Sequence, residues 1–119
     1  MIEKKYEWHK IAESEKEISW PENGIAVVEL HGKKLCLTKW KEGWYSFAYS
    51  CPHAGGLLAL GDIDAGGNII CPVHGYRFSI QNGRNCSGEG FYLRHWPAEK
   101  RADGIYLGIE KDAFFTGLQ

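Results

Sequence analysis

Residues 51–75 read CPHAGGLLALGDIDAGGNIICPVHG and carry a cysteine and a histidine close together at each end. CPH occupies positions 51–53 and CPVH positions 71–74, with 17 residues between His53 and Cys71. Glycine and proline interrupt any alternation of polar and apolar residues here, which favours two loops around a short strand. We therefore expect both cysteine–histidine pairs to lie in loops.

The sequence on both sides of this stretch is typical of short β-strands. Apolar and polar residues alternate in brief runs, and pairs such as His31-Gly32 and Asn82-Gly83 mark turns between them. A helical turn is predicted within Glu13–Glu17. Because no long amphipathic helix is available for crossovers, the sequence predicts an all-β fold, an antiparallel sandwich or barrel. The predicted strands are Tyr6–Ala12, Ile25–Leu30, Lys33–Trp40, Trp44–Tyr49, Asn68–Ile70, Tyr76–Ile80, Tyr92–Glu99 and Ile105–Glu110.

Composition and charge argue against several classes of partner. The 119 residues include 14 Lys and Arg and 15 Asp and Glu, without a dominant basic run. We therefore expect neither a nucleic-acid partner nor a membrane. No apolar segment approaches the roughly 20 residues that span a bilayer, and the first residues lack the apolar stretch of a signal peptide. We expect a cytoplasmic protein, whose cysteines stay reduced and available to bind metal.

The two cysteine–histidine pairs have the chemistry of a metal site. Two thiolates and two neutral imidazoles suit a tetrahedral zinc ion or an iron–sulfur cluster. Structural zinc sites usually group cysteine with cysteine and histidine with histidine, whereas each pair here mixes the two. The mixed order suits a two-iron cluster in which each loop gives a cysteine to one iron and a histidine to the other. Cys36 and Cys86 have no such neighbours, and Cys36, between two leucines, is expected in the core.

The double motif resembles the signature of the Rieske [2Fe–2S] family. Beyond the cysteines and histidines, Leu58 and Gly61 follow the first histidine, and Phe78 and Gly83 follow the second. Rieske ferredoxins tend to have such residues at these positions. The resemblance covers roughly residues 25–110.

The resemblance implies a fold, a cofactor and a set of ligands. The fold would be a single Rieske domain over residues 1–119, with a cluster-binding subdomain of two loops, approximately residues 46–80, inserted in a basal β domain. The cofactor would be one [2Fe–2S] cluster per chain, with the histidines bound through Nδ1. The implied ligands are Cys51 and Cys71 on the inner iron and His53 and His74 on the outer iron.

The sequence differs in two respects from the respiratory Rieske proteins, which oxidise quinols at high potential. Those proteins carry two extra cysteines that join the cluster loops by a disulfide, at positions where this chain has Gly56 and Val73. They also place a serine and a tyrosine hydroxyl beside the cluster, where this chain has Tyr76 and Phe78. Both differences indicate a low-potential ferredoxin.

The resemblance implies a soluble one-electron carrier rather than an enzyme. By family analogy, the partners would be a flavin-dependent ferredoxin reductase as donor and a terminal oxygenase or another redox enzyme as acceptor. A second interpretation is the small subunit of an assimilatory nitrite reductase, a group with similar sequences. A third is a structural zinc-binding interaction module. Metal content and co-purifying subunits distinguish these three functions.

Overall fold

The computed structural model describes residues 5–52, 55–86 and 90–110, which form two antiparallel β-sheets. The large sheet has six strands in the order β1-β9-β8-β4-β3-β2, and the small sheet has three in the order β5-β6-β7. The strands are β1 Tyr6–Ala12, β2 Ile25–Leu30, β3 Lys33–Trp40, β4 Gly43–Ala48, β5 Asp62–Ile63, β6 Asn68–Ile70, β7 Arg77–Ser79, β8 His95–Arg101 and β9 Gly104–Glu110. Single 3₁₀ turns lie at Glu15–Glu17 and Leu58–Leu60. The predicted all-β antiparallel fold is confirmed.

The large sheet curls so that its two edge strands approach each other. The rings of His9 in β1 and His31, just after β2, are 4.9 Å apart and nearly perpendicular. Inside the curl, Leu35 and Leu37 of β3 share one hydrophobic core with Leu107 and other residues of β9. The sheet therefore has a barrel-like interior.

Strand β3 separates this core from a second one. Successive side chains of a strand point to opposite faces, so Cys36 lies on the face of β3 opposite to its two leucine neighbours. Cys36 is fully buried, as expected, and packs in a core that includes Phe47 of β4 and Ile69 and Phe78 of the small sheet. The small sheet therefore covers the outer face of the large sheet.

Two contacts fasten the small sheet and its neighbouring loop to the large sheet. The side-chain amide of Asn23, before β2, donates hydrogen bonds to the carbonyl oxygens of Ala59 at 2.8 Å and Gly61 at 2.9 Å. At the end of β3, the Trp40 ring lies over Gly67 in the β5–β6 turn, where an added Cβ would come within 2.9 Å of the ring. The position of the small sheet is thus fixed at both of its ends.

Besides one-residue shifts at the ends of β4, β7 and β9 and an unpredicted 3₁₀ turn at Leu58–Leu60, the structure differs from the predicted elements in two places. The two-residue strand β5 was not predicted, because two residues show no periodicity. Strand β8 spans His95–Arg101 rather than the predicted Tyr92–Glu99. The amide of Leu93 donates instead to the carbonyl oxygen of Gly83 at 2.9 Å, and Tyr92 is exposed. The chain therefore packs on the small sheet before it enters β8.

Within the described ranges, no helix has the length and apolar character needed to cross a membrane.

Candidate metal centre

Two six-residue loops with the same backbone frame carry the cysteine–histidine pairs. We call residues 51–56, which follow β4, loop 1, and residues 71–76, which join β6 to β7, loop 2. In each loop the N–H of the first residue donates to the C=O of the sixth at 2.8 Å, and the N–H of the fifth donates to the C=O of the first at 2.9 Å. The fifth residue is a glycine with positive φ, +70° at Gly55 and +73° at Gly75, a conformation that strains other residues. The two loops thus present their first residues, both cysteines, in the same way.

A third loop, residues 79–84, begins at the last residue of β7 and repeats this frame without a cysteine. We call it loop 3. The N–H of Ser79 donates to the C=O of Arg84 at 2.9 Å, and the N–H of Gly83, with φ of +75°, donates to the C=O of Ser79 at 2.8 Å. The Ser79 hydroxyl accepts from the amides of Gln81 at 3.2 Å and Asn82 at 3.4 Å. In loop 3 the first side chain is thus directed at the amides two and three residues later.

The cysteines and the histidine of these loops differ in burial. Cys51 is 3% exposed and Cys71 is 1% exposed, and both belong to the core between the two sheets. His74 is exposed, although it lies only three residues after Cys71. Loop 2 therefore holds a thiol on its inner side and an imidazole at the surface.

Loops 1 and 2 are in direct contact through a glycine. A Cβ added at Gly56 would lie 2.4 Å from Cγ2 of Val73, 3.3 Å from its Cβ and 3.1 Å from Sγ of Cys71. Gly56 and Val73 occupy the two positions at which the respiratory proteins carry their additional cysteines. The backbone of loop 1 thus approaches the sulfur of loop 2 in a way that only glycine permits.

The other two cysteines do not join this site. Burial raises the pKa of the Cys36 thiol to about 12, so it stays protonated at neutral pH. The Cys86 thiol is exposed and lies 3.2 Å from Oδ1 of Asn68. None of the four cysteines forms a disulfide in the described part of the chain.

His53, the remaining predicted ligand, lies outside the described residues. Among the residues described, no three His, Cys, Asp or Glu side chains surround a single metal position. The ligand set that the resemblance implies does not need such a group, because it places two cysteines on one iron and two histidines on the other.

Comparison with known proteins identifies the family. The family model for the Rieske [2Fe–2S] domain matches residues 7–91, which include both cysteine–histidine loops. The chain belongs to the Rieske [2Fe–2S] family. A Rieske domain binds one [2Fe–2S] cluster, so the family predicted from the double motif and its cofactor are confirmed.

Curated relatives of this Rieske chain include both small and larger proteins. It is 23% identical over 84 residues to the ferredoxin component of the alkene monooxygenase system of Xanthobacter autotrophicus. The alignment covers 71% of this chain and 69% of that protein. It is 33% identical over 91 residues to a Rieske domain-containing protein of Homo sapiens, covering 74% of this chain. The chain spans about half, 54%, of the length of the human protein.

Solved structures share the fold of this Rieske chain. A ferredoxin in complex with the oxygenase of carbazole 1,9a-dioxygenase superposes with a TM-score of 0.70 and 24% identity, over 87% of this chain and 94% of that one. A structure described as an NADH-dependent nitrite reductase small subunit from Mycobacterium tuberculosis gives 0.72 and 17% identity, over 87% and 96%. These likenesses establish the curled antiparallel Rieske fold.

The residues present suit the cluster that the family binds. Thiolate and imidazole are its ligand types, and the described loops supply two thiols and one imidazole. The missing Cβ of Gly56 leaves space beside the Cys71 sulfur that any other residue would fill. Phe78, which has no hydroxyl to donate, is fully buried in the adjoining core.

Proposed function

We propose that this chain is a one-electron carrier that passes electrons from a reductase to a terminal oxygenase or a similar acceptor. In this proposal Cys51 and Cys71 bind the inner iron of the [2Fe–2S] cluster, and His53 and His74 bind the outer iron. The observation that carries it is the pairing of two identical loop frames whose cysteines are buried while His74 is exposed. The chain itself has no catalytic residues in this proposal.

The burial of the loop residues supports a route for electrons at the surface. When bound, a [2Fe–2S] cluster accepts and releases one electron. The buried cysteines keep water from the inner side of the site, and the exposed His74 presents an imidazole edge to a partner. The frame of loop 3 directs its first side chain at two amides. The same frame in loop 2 supports amide donors from Val73 and His74 to the Cys71 sulfur, which would stabilise negative charge there.

The proposed partners follow from the relatives. One relative is a ferredoxin component of a monooxygenase system, and one structural neighbour is a ferredoxin bound to its oxygenase. We therefore propose a terminal oxygenase as acceptor and a flavin-dependent ferredoxin reductase as donor. Residues 46–80, which contain loops 1 and 2 and the whole small sheet, would form the cluster-binding subdomain that meets both partners.

A second candidate function is the small subunit of an assimilatory nitrite reductase. It is favoured by the structural likeness to a protein described as such a subunit, which covers 87% of this chain. Purification of the tagged chain from its native cells separates the two functions. A stable co-purifying sirohaem subunit would support the second, and a coloured protein that purifies without one would support the first.

Metal analysis tests the proposal directly. Protein purified without oxygen should contain about two iron atoms and two acid-labile sulfides per chain, as a [2Fe–2S] cluster requires. After reduction it should give a rhombic EPR signal with a mean g value below that of all-cysteine clusters. A colourless protein that contains zinc and no sulfide would instead establish the structural zinc module.

The reduction potential tests the low-potential assignment. Because Phe78 cannot donate a hydrogen bond to the cluster, we expect a potential near the bottom of the Rieske range, roughly −150 mV. A redox titration followed by visible circular dichroism measures it. A value above about +100 mV, well inside the upper part of that range, would contradict the assignment.

A further inference from the structure

A cleft of about 430 Å³ opens on the flank of loop 1, and its charged lining is entirely basic. Lys33 and Lys34, at the start of β3, line one side, and Arg94, just before β8, lines the other. Cys51 and Pro52 of loop 1 line it as well. No acidic residue is found among the described residues of its wall. Three cations therefore stand directly beside a loop that holds a predicted ligand.

Aromatic rings in the wall hold two of these cations in place. The Lys34 ammonium lies 5.6 Å from the centre of the Tyr49 ring, and the Arg94 guanidinium lies 5.6 Å from that of Trp96. Both rings line the cleft. Such cation–π contacts favour the side-chain conformations that keep the charge at the cleft wall. Less conformational entropy is then lost when an anionic group binds there.

The two lysines are not neutralised by the acidic residues that the structure describes. Neither Lys33 nor Lys34 takes part in a described ion pair. Glu29 lies opposite Lys34 in the β2–β3 register, but it is not part of the cleft wall. The whole chain has a net charge of −1. The positive charge is thus a local feature of this face rather than a consequence of overall composition.

We propose that this basic cleft is a docking surface for an acidic face of the protein that exchanges electrons with this chain. The inference rests on the proposed electron-carrier function and adds the chemistry of the partner. Charge complementarity of this kind steers association and fixes the orientation of the two proteins. Because Cys51 and Pro52 line the cleft, a partner seated there contacts the ligand loop itself. The lysines are exposed rather than buried, which suits an extended acidic surface better than an enclosed small anion.

Oxidation by small complexes of opposite charge measures the local field. The reduced holoprotein gives one electron either to hexacyanoferrate(III), an anion, or to hexaammineruthenium(III), a cation, in stopped flow. The variant K33Q/K34Q removes two positive charges, and K41E changes the net charge by the same −2. Lys41 follows the other end of β3, roughly 25 Å away at about 3.3 Å per residue. At 0.1 M ionic strength the Debye length is about 10 Å, so the field of Lys41 is screened.

We expect K33Q/K34Q to lower the ratio of the anion rate to the cation rate at least about fivefold, and K41E to change it less than about 1.5-fold. This contrast should disappear near 1 M salt, where the Debye length is about 3 Å. If K33Q/K34Q changes this rate ratio no more than K41E does, the proposed docking surface is contradicted. If the wild-type protein exchanges electrons with neither complex, the carrier function fails instead, and the peptide experiment still decides the question of the cleft.

Calorimetric titration with a decaglutamate peptide tests recognition of an acidic surface without any electron transfer. The wild-type holoprotein and K41E should bind the peptide at 0.1 M ionic strength, and K33Q/K34Q should bind at least about fivefold more weakly. Inorganic phosphate at the same ionic strength serves as the comparison. Phosphate binding that equals peptide binding would identify a small-anion site and overturn the proposal, as would equal peptide binding by all three proteins.

Discussion

His74 and Cys71 are three residues apart in loop 2, yet one is exposed and the other is buried. The sequence predicts both as ligands from residue type and spacing alone. The resemblance implies that Cys71 binds the inner iron and His74 the outer iron. Residue type and spacing alone do not say which side chain faces solvent, because this depends on how β6 and β7 place loop 2 against the core. In the structure the Cys71 sulfur therefore lies on the core side of loop 2 and the His74 imidazole on its solvent side.

Replacing His74 by cysteine tests its role as a ligand. The change exchanges a neutral imidazole for a thiolate, so the cluster should persist but become harder to reduce. We expect the potential to fall on the order of 100 mV, about half of the gap between −150 mV and the −400 mV of all-cysteine ferredoxins. Redox titration measures the shift.

His95→Cys serves as the control, because His95 lies outside loops 1 and 2 and close to the Leu93 carbonyl oxygen. It should leave the potential unchanged. An unchanged potential in His74→Cys as well would remove His74 from the ligand set.

Cys36 is predicted to make stability depend on pH at the alkaline end. Burial raises the pKa of its thiol from 9.0 to about 12 in the folded protein. Between these pH values the folded state binds more protons than the unfolded state, so the free energy of unfolding falls as pH rises. The contribution of the protonated Cys36 thiol to the free energy of unfolding is complete below pH 9. Above pH 9 it decreases by at most about 1.4 kcal/mol per pH unit.

Urea unfolding of wild type and Cys36→Ala at pH 8 and pH 10.5 measures this contribution. The difference in stability between the two proteins should shrink at the higher pH, because the alanine variant has no thiol to ionise. Iron content should be the same in both at pH 8, since Cys36 is not a ligand. A difference in stability that stays constant with pH would show that the Cys36 thiol does not titrate as its burial requires.

At the scale of elements, the sequence predicts most strands well and the connections between them poorly. The predicted bounds of β1, β2 and β3 are the observed ones, because polar and glycine-containing turn segments such as His31-Gly32 separate these apolar runs. Strand β5 and the 3₁₀ turn at Leu58–Leu60 are too short to show a period. The contact between loops 1 and 2 depends on Gly56, whose importance is visible only when Val73 is found beside it.

Gly56→Ala tests that contact. The added methyl group would lie 2.4 Å from Cγ2 of Val73 and 3.1 Å from the Cys71 sulfur, so the two loops must move apart. We expect lower iron and sulfide per chain and a loss of about 1–3 kcal/mol in the free energy of unfolding, typical of overpacking. Elemental analysis and urea unfolding measure the two effects.

Val73→Ala provides the matched second change, because it removes the methyl group that Gly56→Ala contacts most closely. The double variant Gly56→Ala/Val73→Ala should recover part of both losses, while Val73→Ala alone should have little effect on cluster content. Full cluster content in Gly56→Ala alone would show that the loops are not held as closely as described.

At the scale of the whole molecule, the two sheets meet through contacts between residues far apart in sequence. The side chain of Asn23 reaches Ala59 and Gly61, and Trp40 covers Gly67. No local pattern marks these residues. An asparagine in a turn and a tryptophan at the end of a strand are both common, so Asn23 and Trp40 do not stand out in the sequence. Such long-range contacts are the part of the fold that sequence reasoning could not provide.

Asn23→Ala should loosen the region of loop 1 while the large sheet remains folded. The change removes three partly buried hydrogen bonds, the two to Ala59 and Gly61 and one that the Ile25 amide donates to Asn23 Oδ1 at 3.2 Å. Two carbonyl oxygens and one amide lose their partner, a cost of about 1–3 kcal/mol. We expect faster amide hydrogen exchange in residues 57–61 and faster loss of the cluster to a chelator. Exchange in β1 and β9 should change little.

The control for this change is Asn82→Ala, which removes a single exposed contact between the Asn82 side chain and the Arg84 amide in loop 3. It should leave both exchange near loop 1 and the rate of cluster loss unchanged. Equal effects of the two variants would show that Asn23 does not join the sheets.

Loop 3 closes with the same backbone hydrogen bonds as loops 1 and 2, although a serine occupies its first position. The chain can therefore build this geometry from peptide groups and one glycine, without help from sulfur chemistry. It follows that loops 1 and 2 need no bound iron to form their backbone hydrogen bonds. The backbone can therefore set the two thiols in place before the metal arrives.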